Sequence, residues 1–256
     1  GWETMRSWNI GFDLGMLNNR LTVSFDWFNR KIINMVGPAP ELPVTLGANV
    51  PKMNNADMQS TGFELDLGWR DRIKDFDYSV HLLLSDDRQK ILKYPNTTGK
   101  INTWYVGKYN GDIWGFETIG IAKSQEEMDA HLASLPNGGQ DALGVKWGAG
   151  DIMYRDLNGD GKISDGATLN DPGDKKVIGN TSPRFRFGLD LNASWKGIDV
   201  RLFFQGVAKR DAWLNDNMFW GATGGIWQSA CFTSHLDFFR EAGDDFWSAN
   251  KDAYFP

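Results

Sequence analysis

From Trp8 to Met16 every second residue is apolar: Trp8, Ile10, Phe12, Leu14 and Met16 alternate with Asn9, Gly11, Asp13 and Gly15. A period of two sends successive side chains to opposite faces of a β-strand, so this stretch has one apolar and one polar face. After Asn18-Asn19 the pattern restarts with Leu21, Val23, Phe25 and Trp27 against Thr22, Ser24 and Asp26. Two such runs across a very short turn predict a β-hairpin. A second pair comprises Phe63, Leu65, Leu67 and Trp69, then Phe76, Tyr78, Val80, Leu82 and Leu84. The third runs through Phe185, Phe187, Leu189, Leu191, Ala193 and Trp195 and resumes after Lys196-Gly197 with Ile198, Val200, Leu202 and Phe204. The alternation therefore predicts an all-β chain with three antiparallel hairpins, at about 6–28, 60–86 and 183–208.

Turns within the hairpins are short, whereas the connections between them read as long loops over 29–57, 88–182 and 210–256. Loops of that length are uncommon in compact domains unless they serve a function. Inside the longest, Ser124-Gln125-Glu126-Glu127 has capping-box spacing and Met128, Leu132 and Leu135 follow at helical intervals, which predicts a short helix at about 125–135.

Alternation alone fits both a soluble β-sandwich and a membrane β-barrel, since each gives a strand one apolar face. Two features favour the barrel. Strands of about ten residues match the roughly 9–11 that cross the hydrocarbon when tilted, against a usual strand length of about five or six. Aromatic residues also gather at the strand ends: Trp69, Phe76, Tyr78 and Trp195 near the short turns, Trp8 and Trp27 at the far ends. Barrels carry such girdles at both interfaces, with short turns on the periplasmic side and long loops outside the cell. The expectation is a segment of a large antiparallel transmembrane β-barrel, its apolar strand faces toward lipid and Asp13, Asp26, Glu64, Asp66, Arg184, Arg186 and Asp190 toward the lumen. Six strands are too few to close it, so further strands must come from outside this chain or from other copies. No apolar run approaches the roughly 18 residues of a membrane-spanning helix, but a barrel needs none. The start, Gly1-Trp2-Glu3-Thr4, has no basic and apolar leader, which reads as a removed signal or a beginning inside something longer.

Composition narrows the functions. The 256 residues carry a net charge of -6 and 12 Trp, which leaves no basic stripe for nucleic acid. Cys231 is the single cysteine, so there is no internal disulfide. The three histidines, His81, His131 and His235, show no metal-ligand spacing; His81 reads as a structural or solvated group on a polar strand face and His131 as a surface group on the short helix. No nucleophile elbow or phosphate-cradling loop is present, and the paired acids Glu126-Glu127 and Asp244-Asp245 read as solvated faces, so no enzyme is expected.

Two candidate sites lie in the loops. Asp156-Leu157-Asn158-Gly159-Asp160-Gly161-Lys162-Ile163-Ser164 follows the opening of an EF-hand calcium loop, with oxygen donors at alternate positions and a glycine for the sharp turn. The ligands would be Asp156, Asn158, Asp160, the Lys162 carbonyl and Ser164, holding a structural calcium. Ala167 occupies the position of the usual bidentate carboxylate, leaving Asp165, Asp171, Asp174 or water for that role; the bland alternative is an acidic Asn-Gly/Asp-Gly turn. The second candidate is aromatic: Trp104, Tyr105, Trp114 and Phe116 in one loop, and Trp213, Phe219, Trp220 and Trp227 in another. Aromatic faces suit sugar rings or apolar peptide side chains, and suit a loop's own core equally. Trp104, Tyr105, Trp114 and Trp220 are the candidate cargo contacts.

The order of motifs resembles one family. Trp8-Asn9-Ile10-Gly11-Phe12-Asp13, Asn18-Asn19-Arg20-Leu21, Leu46-Gly47-Ala48-Asn49 and Asn54-Asn55-Ala56 are similar to the barrel of SusC/RagA-type TonB-dependent transporters. So are Trp147-Gly148-Ala149-Gly150-Asp151, the Asp156–Gly161 loop, Pro172-Gly173-Asp174-Lys175-Lys176 and Ile178-Gly179-Asn180-Thr181-Ser182-Pro183-Arg184. Phe204-Gln205-Gly206-Val207 and Asp252-Ala253-Tyr254-Phe255-Pro256 also fit. The resemblance implies import of glycans, or of peptides in some members, across the outer membrane of Bacteroidetes-like bacteria. It further implies a SusD-like surface lipoprotein as lid, and energy from the TonB complex through parts absent from this chain. The family's N-terminal plug, TonB box and final strands are not seen, so the whole of 1–256 is expected to be part of such a barrel. A soluble, calcium-stabilised carbohydrate-binding β-sandwich is the alternative from another class, and a secreted glycan hydrolase fragment a third.

Overall fold

The computed structural model describes residues 1–38, 52–214 and 232–255. They fall into two compact units, one of residues 1–112 and 180–211, the other of 113–179 and the residues from 212 onward. The first unit is built on a six-stranded antiparallel sheet in the order β1 (Thr4–Met16), β2 (Leu21–Gly37), β3 (Met53–Ile73), β4 (Phe76–Lys93), β9 (Arg184–Trp195) and β10 (Ile198–Lys209). The intervening strands are short: β5 (Asp112–Phe116) pairs with β8 (Lys175–Asn180), and β6 (Thr118–Ile121) with β7 (Ile152–Tyr154).

The strands outrun the alternation that reveals them. Residues 29–37 and 53–57 continue β2 and β3, and 88–93 continue β4, so the supposed loops 29–57 and 88–182 both begin as strand. β2, β3 and β4 reach 17, 21 and 18 residues, well past the roughly 9–11 that cross a hydrocarbon layer. The reason lies in the outward positions. Beyond Trp27, Phe63 and Leu84 they become Asn29, Lys31, Thr61, Gln59, Asp86 and Arg88, while the hydrogen-bonded ladder carries on. The period-two signal therefore fades while the strand does not.

Register aligns the apolar positions across the sheet. One row runs Phe12, Phe25, Leu65, Leu84, Phe187, Gly206; the next Leu14, Val23, Leu67, Leu82, Leu189, Phe204; the third Met16, Leu21, Trp69, Val80, Leu191, Leu202. None of these 18 positions carries an ionisable group. Below them comes a row of Asp71, Tyr78, Ala193 and Val200, then Ile73, Phe76, Trp195 and Ile198 beside the short turns, and above them lie Ile10, Trp27, Phe63 and Asp86. From Phe63 to Ile73 the strand covers about 34 Å at roughly 3.4 Å per residue, or about 26 Å of height at a tilt near 40°, against about 25 Å for the apolar band of an outer-membrane barrel. No second sheet covers these rows: Phe12, Leu14, Met16, Leu202 and Phe204 are each about half exposed, and Trp8 is 73% exposed. The buried core of a sandwich is absent from them.

Turn chemistry fixes this register. Leu17, Asn18 and Asn19 all have positive φ, and Lys196-Gly197 closes β9 to β10 with φ of 47° and 84°, the left-handed pair that a two-residue hairpin turn requires. Buried side chains of the first unit lie above the apolar band, at Phe28, Ala56, Ile91 and Ile101. Phe28 is seated over Gly62, where any Cβ would meet its ring at 2.7 Å. In the second unit α1 (Gln125–Ala133) starts at Ser124, whose hydroxyl accepts the Glu127 amide at 3.3 Å, so the expected loop helix is present. Its Met128 packs with Ala122, Met153, Leu132 and Trp147. His131 is not a free surface group: its Nε2 lies 3.0 Å from Oε1 of the fully buried Gln140, which also accepts the Tyr154 amide and donates to the Ile152 carbonyl.

Candidate functional site

The inner face of the sheet carries the charges, and most are tied to one another. Asp190 takes a fork of hydrogen bonds from Arg201 and one from the Asn192 amide at 3.0 Å. His81 Nε2 lies 2.6 Å from Asp66 Oδ1, the structural hydrogen bond expected of it, and Arg186 bonds Asp87 at 2.5 Å. Asp26 and Glu64 face each other across β2 and β3, with Gly11 beside Asp26. At the turn end this face encloses a hollow of about 760 Å³ edged by Arg70, Arg72, Asn192, Asp199 and Arg201. Charges crowd one face, while the other has three uncharged rows bordered by Asp71 near the turns and Asp86 above, and that asymmetry suits a wall between lipid and a hydrated lumen.

Where β9 enters the sheet, the chain departs from ordinary geometry. Phe185 has φ 52°, an outlier for a bulky residue, and Asp86 holds it there. The Asp86 carboxylate accepts the Phe185 amide at 3.2 Å and both arms of Arg184, and is itself buried. Neither residue announces this pairing in the sequence, because they lie 98 positions apart.

Above the band, residues 92–107 form a loop with closed ends: the Ile91 amide donates to the Lys108 carbonyl at 2.8 Å and the Gly107 amide to the Ile91 carbonyl at 2.9 Å. Such loops are packed by their own side chains. Asn96 binds the carbonyls of Lys100 and Trp104, and buried Lys108 donates from Nζ to the carbonyls of Ile101 at 3.0 Å and Thr103 at 3.1 Å. Burial pushes the Lys108 ammonium pKa down, and Asp112 pulls it part of the way back. Substituting Lys108→Met would strand two carbonyls, at a cost of about 1–3 kcal/mol each. The expected result is selective cleavage within 92–107 in limited proteolysis while the strands stay protected.

This loop presents two of the sequence candidates. Trp104 meets Tyr94 edge-on at 5.6 Å and lines a groove of about 530 Å³ with Pro38, Lys52, Asn102 and Thr103. Tyr105 lies under the Lys108 ammonium at 5.3 Å. Trp114 belongs to β5, in the second unit, whereas Trp104 and Tyr105 belong to the first. Trp220 lies outside the described residues. Tyr94 is the member that sequence reading missed; it stands at the end of a strand, outside the aromatic run.

The predicted ion loop folds as a series of tight turns around its own acids. Asp156 accepts the amides of Gly159 at 2.6 Å and Gly161 at 2.8 Å, Asn158 that of Asp160, and Asp160 that of Lys162. Partial burial opposes ionisation of Asp156, but the amides of Gly161, Gly159 and Asp160 outweigh it and hold the carboxyl below the usual aspartate range. Fully buried Asp174 joins this loop: it accepts the Leu157 amide at 2.8 Å, the Ser164 amide at 2.7 Å and the Ser164 hydroxyl at 3.2 Å, and lies close enough to Asp156 for the carboxyls to interact. Gly173, with φ 60°, permits the approach, since a Cβ there would meet the Ser164 carbonyl at 2.2 Å. Of the acids available to replace the missing carboxylate at Ala167, Asp174 is the one brought in. Oxygen donors of this kind are what a hard cation such as calcium takes, and here the side-chain oxygens of Asp156, Asn158, Asp160 and Asp174 are engaged by backbone amides. Among the described residues no group of three or more His, Cys, Asp or Glu closes on a metal position.

A sheet with three uncharged rows across its outer face and a charged inner face, with β1 and β10 unpaired on their outer edges among the described residues, defines a class. It is a wall segment of a β-barrel that does not close within this chain. The family model described as "TonB dependent receptor-like, beta-barrel" matches residues 1–230, and the chain belongs to that family. TonB-dependent receptor P3 of Formosa agariphila is 26% identical over 218 residues, 80% of this chain and 20% of that protein. TonB-dependent receptor SusC of Bacteroides thetaiotaomicron is 24% identical over 209 residues, 77% of this chain and 18% of that protein. The structure of the RagAB peptide transporter superposes with a TM-score of 0.64 at 21% identity, covering 100% of this chain and 25% of that one. The chain thus spans about a fifth to a quarter of the length of these relatives.

Proposed function

We propose that this chain forms part of the wall and outer mouth of a TonB-dependent importer that spans the bacterial outer membrane with many strands. The observation that carries the reading is the set of three uncharged rows, in register across six strands, backed by a charged inner face. On this reading the chain does no chemistry of its own; it encloses and selects cargo, an oligosaccharide or a peptide. A SusD-like lipoprotein closes over the mouth, and TonB engages parts of the protein beyond this chain. The naming of SusC and of a peptide transporter among its relatives supports an importer and leaves both cargo classes open. The test is uptake: cells expressing the complete protein should accumulate labelled native nutrient, and cells lacking it should not. Equal accumulation, or recovery of the protein in the soluble fraction, would defeat the reading.

The 156–164 loop is read as a structural calcium site with Asp156, Asn158, Asp160, the Lys162 carbonyl and Ser164 as ligands and Asp174 as the added carboxylate. Calcium would tie residues on either side of Gly166 into one rigid turn. Titrating the purified, chelator-stripped transporter with calcium should reveal one site that Asp156→Asn with Asp160→Asn abolishes, and bound calcium should slow proteolysis between 155 and 175. Unchanged binding in the double variant would remove the assignment.

A further inference from the structure

The groove between the 92–107 loop and the upper end of β2 carries a chemical bias that points to a ligand class. Its aromatic corner is Tyr94 and Trp104, whose rings meet at 62° with centroids 5.6 Å apart. Lys52, Asn102 and Thr103 line the groove with it, as do Val36, Gly37 and Pro38 from the end of β2. Lys52 is exposed and its ammonium has no side-chain partner among the described residues; the Asn102 amide and Thr103 hydroxyl are likewise uncommitted among them. The described lining contains no carboxylate, although the chain as a whole is acidic at -6. An aromatic corner, two neutral hydrogen-bonding side chains and a lysine with no carboxylate beside it among the described lining make a mixed apolar and polar surface with a few convergent groups.

We propose that this groove is a binding site for an anionic oligosaccharide, a sugar chain whose residues carry carboxylate or sulfate groups. The assignment rests on the importer reading and narrows its cargo. A pyranose ring presents a flat C–H face that packs on Trp104 or Tyr94, its hydroxyls pair with Asn102 and Thr103, and its acidic group meets Lys52 in a charge-assisted hydrogen bond. Besides the two rings the lining has only Val36 and Pro38 as apolar side chains among the described residues, and its polar remainder suits the hydroxyls of a sugar more than a run of apolar peptide side chains. The loop is pre-shaped for the task, because Asn96 and Lys108 hold its backbone independently of any ligand.

The experiment uses the complete transporter purified in detergent, titrated calorimetrically at low salt with oligogalacturonate, a neutral galactose oligomer of equal length, an oligomer of sulfated galactose, and tri-glutamate. The expected result is at least tenfold tighter binding of one of the acidic sugars than of the neutral one. Lys52→Gln should erase that preference while leaving neutral-sugar binding in place. Trp104→Ala should weaken both sugars by about tenfold or more, with the heat-dependent gel shift of the barrel unchanged in either variant. A preference that survives Lys52→Gln, tighter binding of tri-glutamate than of any sugar, or no binding by any probe overturns the proposal. Nutrient uptake measured on the same variants separates the two readings. Full uptake with the probes indifferent to both substitutions rejects the groove and keeps the importer, whereas absence of uptake in the parent protein rejects the importer itself.

Discussion

Leu189→Arg is expected to prevent stable barrel assembly, whereas Asp190→Asn, one residue further on, is expected to leave assembly intact. Leu189 lies at mid-height of the apolar band, between Leu82 on β4 and Phe204 on β10, with no polar neighbour on its row. An arginine at such a depth costs about 2–4 kcal/mol on the lipid face. It also sits too far from either interface for its guanidinium to escape along its stem. Asp190 points the other way, into the fork of Arg201, and is next to His81 in register. Replacing it by Asn removes the charge and keeps a hydrogen-bond acceptor on the hydrated side, so any effect should fall on transport. The measurement is the fraction of protein that shows heat-dependent gel mobility in outer-membrane preparations. Equal tolerance at the two positions would show that the outer face does not meet lipid.

Excising residues 114–178 and rejoining the chain with a short Gly-Ser turn should spare the barrel and reduce uptake of the native nutrient by tenfold or more. The stem on which this segment stands is closed before the cut. The Thr181 amide donates to the Gly111 carbonyl at 2.9 Å, and the Asn180 amide group bonds the Asp112 carboxylate at 2.8 Å and the Asn110 carbonyl at 3.1 Å. Shortening a loop with tethered ends changes its closure entropy by only about 0.6 kcal/mol per halving of length. The buried cluster of Ala122, Met128 and Met153 lies wholly within the removed segment. Residues beyond 212 lose partners such as Lys123, which pairs with Asp252, but no strand of the large sheet is touched. Failure of the shortened protein to assemble, or assembly with undiminished uptake, would contradict the division of labour between wall and mouth.

Legibility in the sequence followed the solvent. Where one face is uniformly apolar, the period of two is unmistakable, and Phe63 to Trp69 or Phe185 to Trp195 can be read directly. Where the outward positions turn polar, nothing marks the alternation, and 53–57 or 88–93 look like loop although they are strand. The Ser124 cap and the Asn158-Gly159-Asp160-Gly161 turns were legible because local side-chain-to-backbone bonds leave local residue signatures. Asp174 was readable only as one acid among several, since its place depends on Gly173 bringing a distant stretch against Ser164. Tyr94, Lys108 and the Asp86–Arg184 pair left no signal, because each acts through partners that the chain supplies from elsewhere or through main-chain carbonyls that no side-chain pattern encodes.

Continuation of β2, β3 and β4 beyond the apolar rows has a mechanical consequence. Roughly ten residues of β3 above Phe63 extend the wall by about 30 Å along the strand before the chain turns away. Over that stretch the ladder to β2 and β4 persists, with Phe28 and Ile91 buried against it. The upper part of the sheet is therefore a stiff palisade, and the 92–107 loop at its top is held at a fixed height above the apolar rows. A partner closing over this end would push on hydrogen-bonded strands and not on slack chain, so its displacement would pass down the staves into the apolar rows below with little lost on the way.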